Sequence, residues 1–172
     1  MTVLRATQKV LRQLPTRTSE TPTPDRSALG DWYVTRTTVD RRPLLVLISA
    51  RGYLPIVVPA RDVRRLPSRL PQLLLDRLAR VGIPEAQRVA EANAMEAITV
   101  APTASRSVTG ILVDFVRCLP SYLPEAGWGE ADLRYAEDQL AEMPCHAGGP
   151  DAGVVFPLRD VTRLLNGRWG AG

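Results

Sequence analysis

Residues 101–119, APTASRSVTGILVDFVRCL, constrain the fold more than any other stretch of this chain. Val108, Ile111, Leu112, Phe115, Val116 and Leu119 fall at i, i+3, i+4, i+7, i+8 and i+11, which sets six apolar side chains on one wide helical face. A helix with such a face has to press on a sheet or on other helices, so it is the expected central helix of the core. It opens through the polar turn Thr103-Ala104-Ser105-Arg106-Ser107, directly after a β-branched segment of strand length at residues 96–101.

The remaining elements are read around that helix. Residues 2–5 form a short strand passing into a helix capped by Thr7, with Val10, Leu11 and Leu14 on its apolar side. Proline, threonine, serine and charge without periodicity make residues 15–29 a flexible loop. Residues 30–39 (GDWYVTRTTV) read as a strand with one solvated face, joined by a turn at residues 40–43 to the continuous apolar run 44–50. LPIVVP adds a strand centred on residues 56–58, and these three segments are expected in the middle of the sheet.

Leu70, Leu74, Leu78 and Val81 give the next helix its buried side, with Gly82 as its stop. Pro84 and Glu85 open another, running to about Met95 with Val89, Ala92 and Met95 inward. After the central helix, residues 130–143 form an outer, solvated helix, residues 144–153 a loop, and residues 166–172 a frayed tail. Strands and helices mix without regular βαβ alternation. The fold class is therefore α+β, one domain over residues 1–172, with a mixed or mostly antiparallel sheet against the central helix; a doubly wound α/β fold is the alternative.

Composition enters through what it excludes. The longest apolar run, residues 44–48, is far short of the roughly 20 residues a membrane span needs, and residues 1–14 lack a secretory signal pattern, so the expectation is a cytoplasmic protein with no membrane partner. Cys118 and Cys145 are too few for a disulfide framework. With His146 the single histidine and no ligand spacing, neither a metal site nor a cofactor is expected. The net charge is +4, with Lys9 the sole lysine among 22 basic residues. Residues 1–88 hold 16 cations and 7 anions, while residues 89–172 hold 6 and 11, an asymmetry that suits either a nucleic-acid face or two halves attracting one another within the fold.

LRATQKVLRQL, LGDWY, LLVLISA followed by LPIVVPA, the TASRSVTG turn with Asp114 on the helix after it, and the later MPC together resemble an uncharacterised prokaryotic family, number 6933 of the domains of unknown function. The resemblance runs from about Val3 to Cys145 and implies no activity.

Three groups of residues are candidates for function. At the turn, the free amides and partial positive charge of a helix N-terminus join the hydroxyls of Thr103, Ser105 and Ser107 and the guanidinium of Arg106, a set that suits phosphate or carboxylate. Simple capping of the helix by Ser105 or Ser107 accounts for the same residues, and no glycine-rich nucleotide loop is present. Asp114, two turns along, either faces solvent or pairs with Arg36 or Arg106. Trp32 and Tyr33 point to opposite faces of one strand, so one is core and the other is free to meet a ligand or partner.

The run Arg61, Arg64, Arg65 and Arg69, with Arg77 and Arg80 beyond it, is the nucleic-acid candidate. Its alternative is a solvated arginine face paired with the acidic half of the chain. The neighbours Cys145 and His146 do not make a nucleophile and base, and no complete catalytic set is legible. The expected function is non-enzymatic binding of a macromolecule, protein or nucleic acid. An anionic small-ligand protein or enzyme using residues 103–107 is the alternative.

Overall fold

The computed structural model describes residues 1–15, 25–95, 97–147 and 153–170. Five strands form one mixed sheet in the order β4-β3-β2-β1-β5: β1 (Thr2–Ala6), β2 (Trp32–Val39), β3 (Arg42–Ser49), β4 (Pro55–Pro59) and β5 (Ile98–Pro102). β1 runs parallel to both of its neighbours, and β2, β3 and β4 form an antiparallel meander. Asp40 and Arg41, both at positive φ, close the β2–β3 hairpin, which matches the strand twist that two-residue turns require.

The PIVVP strand lies at the edge of the sheet rather than in its middle. Ser49 N–H donates to the Leu54 carbonyl and Ala60 N–H to that of Pro43, so the intervening even-numbered residues of β4 pair with β3. Pro55 and Pro59, which have no N–H, therefore face outward, where a missing donor costs nothing.

Alternation along the strands builds two cores. Leu4, Trp32, Val34, Leu45, Leu47 and Ile56 point to one face. That face is covered by α1 (Gln8–Leu11), α2 (Leu66–Arg80) and α6 (Pro157–Trp169), with α3 (Glu85–Ala94) packed on α2 and α6. Tyr33, Val46, Ile48 and Val57 point to the other, under α4 (Arg106–Cys118) and α5 (Glu130–Glu142). Full burial of Leu112 and Phe115 on α4 contributes roughly 1.5–3 kcal/mol each. Val108, Ile111 and Leu119 are buried beside them, so the six-residue apolar face is the side of α4 that meets the sheet. The fold is α+β, one domain with helices on both faces of a mixed sheet.

Several local expectations give way to tertiary contacts. α1 is a single turn, and the Thr7 hydroxyl pairs with that of Thr35 (3.0 Å) instead of capping it. On α3 the buried positions are Gln87, Glu91 and Ala92, while Val89 is exposed. The chain expected to fray from residue 166 is helical to Trp169, with Gln87 Nε2 donating to Asn166 Oδ1 (2.8 Å) and Trp169 Nε1 donating to Glu91 Oε2 (2.7 Å). Of the loop expected at residues 15–29, residues 16–24 lie outside the described residues, whereas Ser27, Ala28 and Leu29 are buried. Residues 144–153 were expected as loop, yet Cys145–His146 (β6) pairs with Val154–Val155 (β7) in a two-residue ladder. Among the described residues no helix is long and apolar enough to cross a membrane.

Candidate anion-binding crevice

β1 and β5 lie side by side and run in the same direction, but their continuations part company. After β1 the chain enters α1 on one face of the sheet; after β5 it enters α4 on the other. Diverging connections from adjacent parallel strands open a crevice beyond their carboxyl ends, where open sheets with parallel strands commonly hold ligands.

Two walls of this crevice carry backbone donors. β1 pairs with β2 only as far as Ala6 opposite Val34, while β2 continues to Val39. Thr7 N–H donates to the Val34 carbonyl (3.1 Å), so even-numbered residues of β2 turn their polar groups toward β1. Beyond the end of β1 those groups belong to Arg36 and Thr38, which meet no strand on that side among the described residues. On the opposite wall, Ser105 Oγ caps α4 by accepting from Val108 N–H (3.3 Å), leaving the first-turn amides of Arg106 and Ser107 outside the helix ladder. Ser105 N–H donates to Tyr33 Oη (3.1 Å), which fastens the turn to β2.

The crevice broadens into two adjoining depressions. One, of about 620 Å³, is lined by Thr103, Ser105, Arg106, Thr109 and Asp114. The other, of about 680 Å³, is lined by Lys9, Thr35, Arg36, Thr37 and Val116, and Val113 and Arg117 border both. Lys9, Arg36, Arg106 and Arg117 have no side-chain hydrogen bond or ion pair among the described residues. Among the described residues Asp114 is the one acid bordering either depression, so their lining carries a surplus of positive charge. Such a surface can hold an anion through charge-assisted hydrogen bonds from guanidinium, ammonium and amide donors together.

The residues expected at the site are distributed unevenly. Thr103, Ser105, Arg106 and Asp114 come together at the crevice, with Asp114 exposed and pairing with neither Arg36 nor Arg106. Ser107 is exposed in the first turn of α4 without lining either depression. Tyr33 is buried and serves the turn through its hydroxyl alone, and Trp32 has no exposed surface, lying on the other face of the sheet. Lys9 and Arg117 were not among the site residues expected from the sequence, and Arg36 was expected there only as a partner for Asp114, because nothing local marks them. The overhang of β2 beyond the end of β1 sets Lys9 and Arg36 beside Val113 and Arg117 of α4.

The basic run is dispersed. Arg61 and Arg69 line a trough beside β4, Arg64 borders a separate depression with Pro67 and Pro71, and Arg65 pairs with Asp62 (3.0 Å). Arg77, expected on a solvated face, has no exposed surface. It donates from Nε to the Pro55 carbonyl (3.0 Å) and from Nη1 to Asp138 (2.6 Å), and Arg80 bonds Glu137 (3.1 Å). The attraction between the basic and acidic halves of the chain is spent here, inside the molecule. Burial, and then the charge of Asp114, push the Cys145 thiol up to about 12, so at neutral pH it is a protonated thiol and a poor nucleophile. His146 beside it is exposed. Among the described residues no cluster of three or more histidine, cysteine or acidic side chains could hold a metal ion.

A family model described as "Domain of unknown function (DUF6933)" matches residues 3–159. No curated protein and no solved structure matches the chain.

Proposed function

The chain belongs to the DUF6933 family, a domain of unknown function, and on that premise we propose that it is a non-enzymatic binding protein whose ligand presents phosphate or carboxylate groups to the crevice. One observation carries this reading: four cations, Lys9, Arg36, Arg106 and Arg117, line two adjoining depressions beside α4 without intramolecular partners among the described residues. Unneutralised like charges repel one another, and anionic groups seated in the two depressions relieve that repulsion, with the Arg106 amide at the start of α4 a further donor in one and the Arg36 and Thr38 amides in the other. The ligand is a small molecule or the exposed anionic group of a macromolecular partner. The scattering of Arg61, Arg64, Arg65 and Arg69 weighs against an extended nucleic-acid track along that run. We further place the protein in the cytoplasm of a prokaryote, a compartment that suits the free thiols of Cys118 and Cys145.

The test is thermal unfolding with inorganic phosphate, pyrophosphate or citrate. A ligand at about 100 times its Kd adds about 2.7 kcal/mol, which in a chain of this size raises Tm by roughly 5–11 °C. The wild type gains that stabilisation, the Arg36→Ser/Arg106→Ser double variant loses it, and Arg61→Ser retains it. Equal responses from wild type and double variant, or no response to any of the three anions, refute the proposal.

A further inference from the structure

We propose that the trough between α2 and α5, on the far side of the sheet from the crevice, is a second ligand site, taking a small molecule with a carboxylate head and a short aliphatic body. The trough encloses about 560 Å³. Its floor is the edge strand β4, its walls are α2 and α5, and its two ends differ in charge.

One end is closed and internally neutralised. Arg80 bonds Glu137 across it (3.1 Å), and Glu137 also accepts from the Val57 amide and faces Arg77 (3.6 Å). At the other end, Arg61 and Arg69 line the trough with no hydrogen-bond or ion-pair partner among the described residues. The acids nearby are already engaged: Asp76 accepts from Gln72 (2.9 Å) and Glu130 from Arg134 (2.8 Å). Arg42 lies 3.7 Å above the Trp128 ring centroid and donates to the Trp128 carbonyl, so its charge too is committed. Two open guanidinium forks at one end match the planar, bidentate geometry of a carboxylate.

Between the ends runs an apolar strip formed by Val57, Val58, Leu73 and Leu133, with Asp76 beyond Leu73 on the side of Arg80. From Arg69 to Leu73 is one turn of α2, so an aliphatic body reaches this patch about 6 Å from the head. The floor also argues for a small molecule over a peptide strand. Pro55 and Pro59 have no N–H, and the outward amide of Val57 is held by Glu137, so the edge offers carbonyls without donors and cannot extend the sheet.

The experiment titrates the full chain with sodium octanoate, and with acetate as the head alone, following binding by calorimetry and the Trp128 indole N–H by NMR. Octanoate is expected to bind at one site, at least about tenfold more tightly than acetate, and to shift the Trp128 signal. The Arg61→Ser/Arg69→Ser variant, changed at exposed positions and checked for unaltered thermal unfolding, is expected to bind octanoate about tenfold or more weakly. Arg36→Ser/Arg106→Ser is expected to leave octanoate affinity unchanged, which separates this site from the crevice. Undetectable octanoate binding, equal affinity for octanoate and acetate, or equal affinity in wild type and the Arg61/Arg69 variant overturns the proposal.

Discussion

Replacing Glu91 by alanine tests most directly how this fold is held together. Glu91 has no exposed surface, and its carboxylate receives three hydrogen bonds: Ala28 N–H at 2.8 Å, Leu29 N–H at 3.0 Å and Trp169 Nε1–H at 2.7 Å. One side chain on α3 thus ties down both the segment that leads into β2 and the last turn of α6. Alanine strands three donors, two of them on buried backbone. Each buried donor left bare costs about 1–3 kcal/mol, and water entering the vacated space can satisfy one of them, so the expected loss is about 3–5 kcal/mol. In Tm that is a fall of roughly 6–20 °C.

Urea unfolding followed by far-ultraviolet circular dichroism reads the loss directly, and hydrogen exchange at Ala28 and Leu29 reads its location. Glu91→Gln, which keeps one acceptor oxygen, is expected to fall between wild type and alanine. Trp169→Phe removes a single donor, so combining it with Glu91→Ala should cost less than the sum of the two. A Glu91→Ala loss below about 1 kcal/mol, or additive effects with Trp169→Phe, would show that the three bonds do not couple these elements.

Other perturbations separate the remaining contacts. Arg77→Ala leaves Glu137 facing a buried void and is expected to cost about 3–5 kcal/mol in urea unfolding, whereas Arg69→Ala, at an exposed position, stays within about 0.5 kcal/mol. Burial raises the Glu137 carboxyl from 4.5 to about 7, against the opposing pull of Arg77, Arg80 and the Val57 amide. The folded chain then holds this proton more tightly than the unfolded chain, so its contribution is complete below about pH 4.5 and is lost as pH rises toward 7. The wild type should lose about 3 kcal/mol over that window relative to Glu137→Gln, as measured by unfolding free energies at several pH values. Ser105→Ala removes the acceptor for Val108 N–H at the start of α4 and should cost about 1 kcal/mol in the same assay. At Gly52, φ is +75° and an added Cβ would stand 2.8 Å from Val161 Cγ2, so Gly52→Ala is expected to destabilise by about 1–3 kcal/mol and to loosen α6 in hydrogen exchange.

The parts of the fold legible in the residues are those set by local spacing. The apolar face of α4, the β2–β3 hairpin and the strand length of PIVVP follow from side-chain periodicity and turn chemistry, which need no knowledge of distant chain. The Ser105 cap is local in the same sense: hydroxyl and amide are three residues apart. Half of the crevice was visible on these grounds, namely the turn at residues 103–106 and Asp114.

Local residue pattern therefore sets the elements, the apolar faces they must bury, and one polar turn able to meet an anion. Which strands run parallel depends on contacts between distant segments, and so does the placing of Lys9 and Arg36 in the depression that adjoins the one lined by Arg106, with Arg117 bordering both. Such contacts also decide which charges are buried. Arg77 and Glu91 look like surface residues from their type alone, because a charge prefers water unless partners replace it. Those partners, Asp138 for Arg77 and Ala28, Leu29 and Trp169 for Glu91, stand more than 60 positions away in the chain, within reach only once the sheet and its two helical layers have closed.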